Sequence, residues 1–339
     1  MAKYLIIRFS SIGDIVLTTP VMRCMHNQLP GAAIHFLVKK SFKAIVEHNP
    51  YINKIHVLAD DIEQTMKELE AEKFDYIIDL HHNLRTLKIK YFLKDVKAFS
   101  FNKLNVEKFI YTALKINILP KKSIVDRNLE TVAPLGVVND GLGMDYFVPD
   151  KDLVVEQDIP ETHRGGFIAL VTGASLATKK LPLHKLIELC TAINYPIILL
   201  GAQEEFTEGE QIEATNKNKI YNACGKFNIN KSADFTRKAK VVIAHDTGLM
   251  HIAAAFKKPV ISVWGNTVPA FGMYPYYGPL STQKYFIAEV ENLWCRPCSK
   301  IGYKKCPLGH FKCMNNMDIV KLAKQANDLM ELPESELNK

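Results

Sequence analysis

The sequence has no run of eighteen or more apolar residues, so no bilayer-spanning helix is expected. A secretory leader is not expected either. The apolar opening of MAKYLIIRFSSIGD is short and is interrupted by Arg8, Ser10, Ser11 and Asp14, which predicts a cytoplasmic protein. Neither sign of charge dominates. The 43 basic and 36 acidic residues give a net charge of +7, and residues 1–150 carry 20 and 17 of them. No GxxxxGK[ST] run is present, which argues against a P-loop. No nucleic-acid module accompanies the positive charge, so nucleic acid is not an expected partner. The cytoplasmic expectation disfavours disulfides among the seven cysteines. Four of these sit in the tail as Cys295-x-x-Cys298, Cys306 and Cys313. This spacing admits a structural zinc site, but the second pair lies in CPLGHFKC rather than CxxC, so free thiols are the preferred reading. Cys24, Cys190 and Cys224 read as core residues.

What is present is the material of two α/β domains. A chain of 339 residues with 47% apolar and 23% charged residues is comfortable for two globular domains. Segment 241–259, VVIAHDTGLMHIAAAFKKP, reads as strand, tight turn and helix, followed by a strand at 260–264. Asp246 and Thr247 offer capping oxygens, and Gly248 lets the backbone approach a ligand. The helix start directs free N–H groups and a positive dipole at a bound phosphate. His251 lies one turn in, where it reads either as a ligand group or as a surface histidine of an ordinary capped helix. A second junction stands at the N-terminus, with strand 4–9, loop Ser10-Ser11-Ile12-Gly13-Asp14 and helix 15–27. Here Asp14 reads either as a general base or as a helix cap.

Alternation continues through strand 33–38, helix 41–48, strand 54–58, helix 61–72 and strand 74–79. It then runs through helices 86–93, 105–114 and 125–135. His81, His82 and Arg85 open the loop after strand 74–79 and suit a polar acceptor better than a metal, because adjacent histidines lack metal-site spacing. Residues 85–122 hold ten Lys or Arg and two acids, a patch suited to a phosphorylated substrate or anionic headgroups, or simply a solvated helix face. Residues 140–160 are rich in Asp, Gly and Pro and mark the boundary between domains 1–150 and 151–339. The second domain opens with strand 166–171 and the small-residue loop 172–180, which carries Ser175 and Lys179 and can wrap phosphates. Strand 196–200 ends at Glu204 and Glu205, either of which suits a ribose hydroxyl or a helix start. Strand 220–223 and helix 231–239 complete the series, with Phe227 between them.

At this point the sequence resembles glycosyltransferase family 9, the ADP-heptose:lipopolysaccharide heptosyltransferases. The resemblance rests on RFSSIGDIVLTTP at 8–20, FDYIIDL at 74–80, TGASLATKKLP at 172–182, LLGAQEE at 199–205 and HDTGLMHIAAAFKKPVISVWGNTVP at 245–269, with the cysteine tail. It implies a GT-B fold, two Rossmann-like doubly wound domains facing a central cleft. The donor, an ADP-sugar, would be bound mainly by the second domain. A phosphorylated lipopolysaccharide-core acceptor would sit on the first, with peripheral contact to the anionic inner face of the inner membrane. By position, Asp14 matches the catalytic base and Lys179 a donor-phosphate lysine. Ser175, Asp246, Thr247, Gly248 and His251 match the donor site, Glu204 or Glu205 the ribose acid, and Phe227 the adenine wall. Ser11, Gly13, His82 and Arg85 fall on the acceptor side, where HHNLR departs from the family's usual QGLLK. No cofactor is required if Lys179 and the helix start neutralise the leaving diphosphate. The residues leave open a different nucleotide sugar, or a non-catalytic binder of nucleotide sugars or membrane surfaces.

Overall fold

A computed structural model describes residues 2–283 and 285–333. The chain forms two compact units. The first comprises Met1–Lys103, Lys122–Phe147 and Gly278–Leu280; the second comprises Leu104–Lys121, Val148–Tyr277 and Ser281–Lys339. Residues 104–121 thus group with the second unit, together with most of the chain after residue 147.

The first unit is built on a five-stranded sheet: β1 (Lys3–Ile7), β2 (Ala33–Lys39), β3 (Lys54–Leu58), β4 (Tyr76–Asp79) and β5 (Lys97–Ser100). All pairings are parallel, in the order β3-β2-β1-β4-β5. A parallel sheet is covered on both faces, so β1, β2 and β4 are continuous apolar runs. Leu5, Ile7, Leu37, Ile77 and Ile89 make one core. The helices are α1 (Ile12–Val16), α2 (Thr19–Gln28), α3 (Ile62–Ala71) and α4 (Leu84–Phe92). The second unit takes α5 (Asn105–Leu114), and α6 (Ile124–Glu130) returns to the first.

The single helix expected over 15–27 is two helices. Thr18 turns its hydroxyl back to the Ile15 carbonyl at 2.6 Å, and Pro20 has no N–H for an interior turn, so α2 restarts with Pro20 in its first turn. The helix expected over 41–48 is a 3₁₀ stretch, Lys40–Ile45. Segment 140–147 groups with the first unit. Arg23, 4% exposed at its side chain, donates to both oxygens of Asp140 at 2.7 and 2.8 Å, to the Gly143 carbonyl at 2.7 Å and to Asp145. Gly278, at φ +89°, lies so close to Gly141 that a Cβ there would meet its carbonyl oxygen at 2.2 Å; only glycine fits.

The second unit carries a six-stranded parallel sheet: β6 (Ile168–Val171), β7 (Ile197–Leu200), β8 (Ile220–Asn222), β9 (Val241–His245), β10 (Val260–Trp264) and β11 (Tyr285–Glu289). The order is β11-β10-β9-β6-β7-β8. Its helices are α7 (Leu183–Ala192), α8 (Phe206–Glu213), α9 (Ile229–Lys238), α10 (Gly248–Ala255), α11 (Lys312–Asn315) and α12 (Ile319–Glu331). Helix α12 closes one face, burying Leu322, Ala326, Leu329 and Met330 in the core with Leu186, Leu189 and Ile243. No described helix is long and apolar enough to cross a membrane.

Candidate active site

In a doubly wound sheet the strand order reverses at one point, and the loops leaving the two strands there diverge to open a crevice at their carboxyl ends. In the first sheet this point lies between β1 and β4; in the second it lies between β6 and β9. The loops leaving these four strands carry Asp14, His81, Lys179 and Asp246 respectively.

At the end of β1, Ser11 caps α1 and Asp14 sits in the first turn. Ser11 is the N-cap residue, and Asp14, three residues on, closes the capping box by accepting the Ser11 N–H, so a capping role for Asp14 stands beside the general-base one. The Ser11 N–H and hydroxyl donate to Asp14 Oδ2 at 3.2 and 2.8 Å, and Arg8 lies 2.5 Å from Asp14 Oδ1. Arg8 is itself fixed, donating to the carbonyls of Ser10 at 2.9 Å and Leu80 at 2.5 Å. Burial pushes the Asp14 carboxyl up, but the Arg8 guanidinium and the Ser11 donors outweigh it and hold the group below its ordinary range. The side chain is still 28% exposed, so it reaches solvent.

Asp79 ends β4. Its Oδ1 accepts from the N–H groups of His81 and His82 at 3.1 and 2.7 Å, and Lys90 pairs with Oδ2 at 2.8 Å. His82, expected to meet the acceptor, is exposed but turns its Nδ1 to the Phe101 carbonyl at 2.7 Å. His81 packs on Phe9 at 4.8 Å with a buried Nδ1 that has no hydrogen-bond partner among the described residues. Burial, then Arg8, lowers its pKa to about 4, so it is neutral at pH 7. Arg85 is exposed and, with Lys39, Lys40, Ser41, Asp60 and Lys88, lines a cavity of about 690 Å³. Gly13 is buried in α1.

In the second unit Lys179 and Asp246 meet. Lys179 Nζ lies 2.6 Å from Asp246 Oδ2, and Thr267 donates to that oxygen at 3.0 Å. Asp246 is thus filled by a cation and a hydroxyl. Thr247 caps α10 in extended conformation without using its side chain; its Oγ1 is buried and unpartnered among the described atoms. Gly248 is the first residue of α10, and His251 is 1% exposed in its first turn. His245, which the sequence reading passed over, pins the facing loop: its Nε2 accepts from the Leu181 N–H at 2.9 Å. Burial lowers its pKa to about 3, so this neutral acceptor persists.

The 172–180 loop is held from beneath by the tail, where Thr178 and Tyr303 exchange hydrogen bonds of 2.7 and 3.0 Å. Ser175 is exposed on it. Glu205 is buried, accepting from Ala202 N–H and Lys180, each at 3.0 Å, whereas Glu204 is exposed. Glu205 also faces Gly173, where a Cβ would lie 2.8 Å from Oε2. Phe227 is half-buried, its ring tilted against that of Phe235 at a centroid distance of 5.0 Å.

Two groups bear on metals. His35 Nδ1 and His56 Nε2 are 2.9 Å apart, with Glu72 at 3.9 Å from His35, close enough for one ion. However, Lys3 and Lys54 already hold Glu72, and two ammonium groups oppose a further cation. Burial leaves the imidazoles neutral, His56 lowered to about 4. An Asp-x-Asp pair occurs at Asp150 and Asp152, but Asp152 is spent on Asn228 and Asn230 at 2.8 and 3.1 Å. All seven cysteines are free. Cys295 and Cys313 are buried, Cys298 and Cys306 half-buried, and burial raises Cys298 to about 11 and Cys313 to about 12.

A family model described as glycosyltransferase family 9 (heptosyltransferase) matches residues 62–308. Lipooligosaccharide heptosyltransferase 2 of Haemophilus influenzae is 24% identical over 324 residues, covering 85% of this chain and 88% of that one. The crystal structure of a family 9 glycosyl transferase from Veillonella parvula superposes with a TM-score of 0.76 at 17% identity, over 97% of both chains. The E. coli ADP-heptose LPS heptosyltransferase II structure gives 0.72 at 16%, over 97% and 98%. With two doubly wound units and this match over most of its length, the chain belongs to glycosyltransferase family 9 and is a GT-B glycosyltransferase of the heptosyltransferase type.

Proposed function

We propose that the protein transfers a heptose, with inversion, from ADP-heptose to a hydroxyl of the lipopolysaccharide inner core. The observation that carries this reading is the Lys179–Asp246 pair at the head of α10, beside an unpartnered Thr247 hydroxyl. An ammonium, free helix N–H groups and a hydroxyl form a receptor for a diphosphate. Asp246 would not touch that diphosphate, since like charges repel; it positions Lys179. Glu205, near Gly173, takes the ribose role in preference to the exposed Glu204, and Ser175, His251 and Phe227 complete the donor side. No protein cofactor enters this reading.

In the reaction the acceptor oxygen attacks the anomeric carbon while the bond from that carbon to the β-phosphate oxygen breaks. The hydroxyl proton passes to Asp14, and ADP leaves with the bonding electron pair. Charge accumulates on ADP in the transition state, and Lys179 with the α10 N-terminus meets it there, where stabilisation accelerates the step. Arg85, Lys39, Lys40 and Lys88, around the 690 Å³ cavity, suit an anionic acceptor. Ser11 and Gly13 shape the backbone that presents Asp14.

The direct test incubates the protein with ADP-heptose and purified core fragments and follows ADP release and heptosylated product. Release only with another nucleotide sugar would replace this donor. Titration calorimetry gives a second check: Lys179→Ala should weaken ADP binding about tenfold to a hundredfold. Wild-type affinity in that variant would remove Lys179 from the phosphate.

A further inference from the structure

The loop leaving β10, Gly265-Asn266-Thr267-Val268, is buried throughout. It meets the Lys179 loop backbone to backbone. The Asn266 N–H donates to the Thr178 carbonyl at 3.4 Å, and a Cβ at Gly265 would lie 2.5 Å from that same oxygen. Thr267 donates its hydroxyl to Asp246 Oδ2 at 3.0 Å, the oxygen that also holds Lys179 Nζ at 2.6 Å. On its other side the Thr267 carbonyl accepts from Arg296 Nη2 at 3.0 Å. Arg296 belongs to the cysteine tail and is 6% exposed at its side chain. It is anchored to Glu289, at the end of β11, at 2.8 Å and to the Val290 carbonyl at 2.7 Å. A continuous line of contacts therefore runs from Glu289 through Arg296, Thr267 and Asp246 to Lys179, all inside the second unit.

An ammonium carries three N–H donors. Lys179 directs one at Asp246 Oδ2 and one at the Asp246 carbonyl, 3.4 Å away, which leaves the third for a ligand. How well that donor serves a phosphate depends on how strongly Asp246 pulls. A buried carboxylate with one partner draws the cation in and is free to turn. A carboxylate that also accepts a hydroxyl divides its charge between two donors and is fixed in orientation. The Thr267 hydroxyl supplies that second donor, and Arg296 holds the backbone that aims it. We infer that Thr267 and Arg296 are positioning residues for the donor diphosphate, acting through Asp246 to set where Lys179 presents its charge. The inference rests on the reading that Lys179 meets the diphosphate.

The experiment is titration calorimetry of ADP with the full chain, run as a double-mutant cycle. Thr267→Val keeps the shape of the side chain and removes the hydroxyl; it should weaken ADP binding about three- to tenfold. Thr267→Ser returns a hydroxyl and should recover most of that loss. In a Lys179→Ala background, Thr267→Val should change the affinity by less than about twofold, because the hydroxyl has no other route to the ligand. A threonine with a merely structural role would cost the same in both backgrounds. Arg296→Lys keeps a charge beside Glu289 but lacks the planar fork that spans two carbonyls and a carboxylate. It should follow Thr267→Val in both backgrounds, and it carries the cycle if the valine variant does not fold. Three results would each overturn the inference while leaving Lys179 on the phosphate: wild-type affinity in Thr267→Val, wild-type affinity in Arg296→Lys, or an undiminished further loss when either is added to Lys179→Ala. Wild-type affinity in Lys179→Ala alone would instead remove the phosphate reading, and the inference with it.

Discussion

Asp14→Asn is expected to lower kcat by about 10²–10⁴-fold, the range for loss of a positioned general base. ADP affinity should stay at its wild-type value, because the proposed phosphate contacts lie on Lys179 and α10. The pH profile carries a second expectation. Arg8 and the Ser11 donors hold the Asp14 carboxyl low, so it is ionised at neutral pH, and kcat should fall only as pH drops through that lowered value. Arg8→Gln removes the largest of the lowering causes and should move the acid limb of kcat to higher pH. The stability carried by the same pair is present above the unfolded carboxyl's pKa and is lost as pH falls through the folded one. A carboxyl held this low is also a weak base. Its advantage lies in geometry: three hydrogen-bonding groups fix its orientation at the mouth of the crevice. Steady-state kinetics showing unchanged kcat in Asp14→Asn would assign the proton to another group, with His81 the first to test.

Arg23→Ala should destabilise the first unit by about 3–5 kcal/mol, the cost of stranding buried charge when one partner is removed. The guanidinium is 4% exposed and satisfies Asp140, Asp145 and the Gly143 carbonyl together. Without it two carboxylates face each other around a cavity. Urea titration followed by a probe of the first unit checks this, with the two units fitted separately because a two-unit chain need not unfold in one step. A loss below about 1 kcal/mol would place the network among ordinary surface ion pairs. Asp140 gives the pH side of the same expectation. Its hydrogen bonds from Arg23 hold it low, so its contribution disappears as pH falls through the lowered value.

Much of this architecture is legible in the residues. The central strands β1, β4, β6, β9 and β10 announce themselves as β-branched runs because both sheet faces are covered there. The turns after β1 and β9 carry their own signals in SSIGD and HDTG. Strands β5 and β11 carry no such signal, since edge strands are half covered and KAFS and YFIAE lack the buried pattern. The tail helices α11 and α12 fall outside the alternating series, behind a cysteine-rich loop. At the site, charge type was easier to read than direction. His82 stands at φ +49°, and that left-handed turn sends its ring to a carbonyl while His81 turns inward. No composition or spacing rule encodes which of two adjacent histidines faces which way. Arg23 hid for a related reason, as its partners lie 117 and 122 residues away.

The loan of α5 to the later unit has a practical outcome. Backbone passes between the two bodies after Lys103, Lys121, Phe147, Tyr277 and Leu280, so neither is a contiguous piece of chain. A fragment ending at residue 150 would keep α5 yet lose Phe271 and Pro297, the groups it rests on, and would lose the glycine that fits against Gly141. Dissection by truncation would therefore yield sticky, incomplete halves. Separating donor from acceptor binding calls for point substitutions in the intact polypeptide, or for a circularly permuted one.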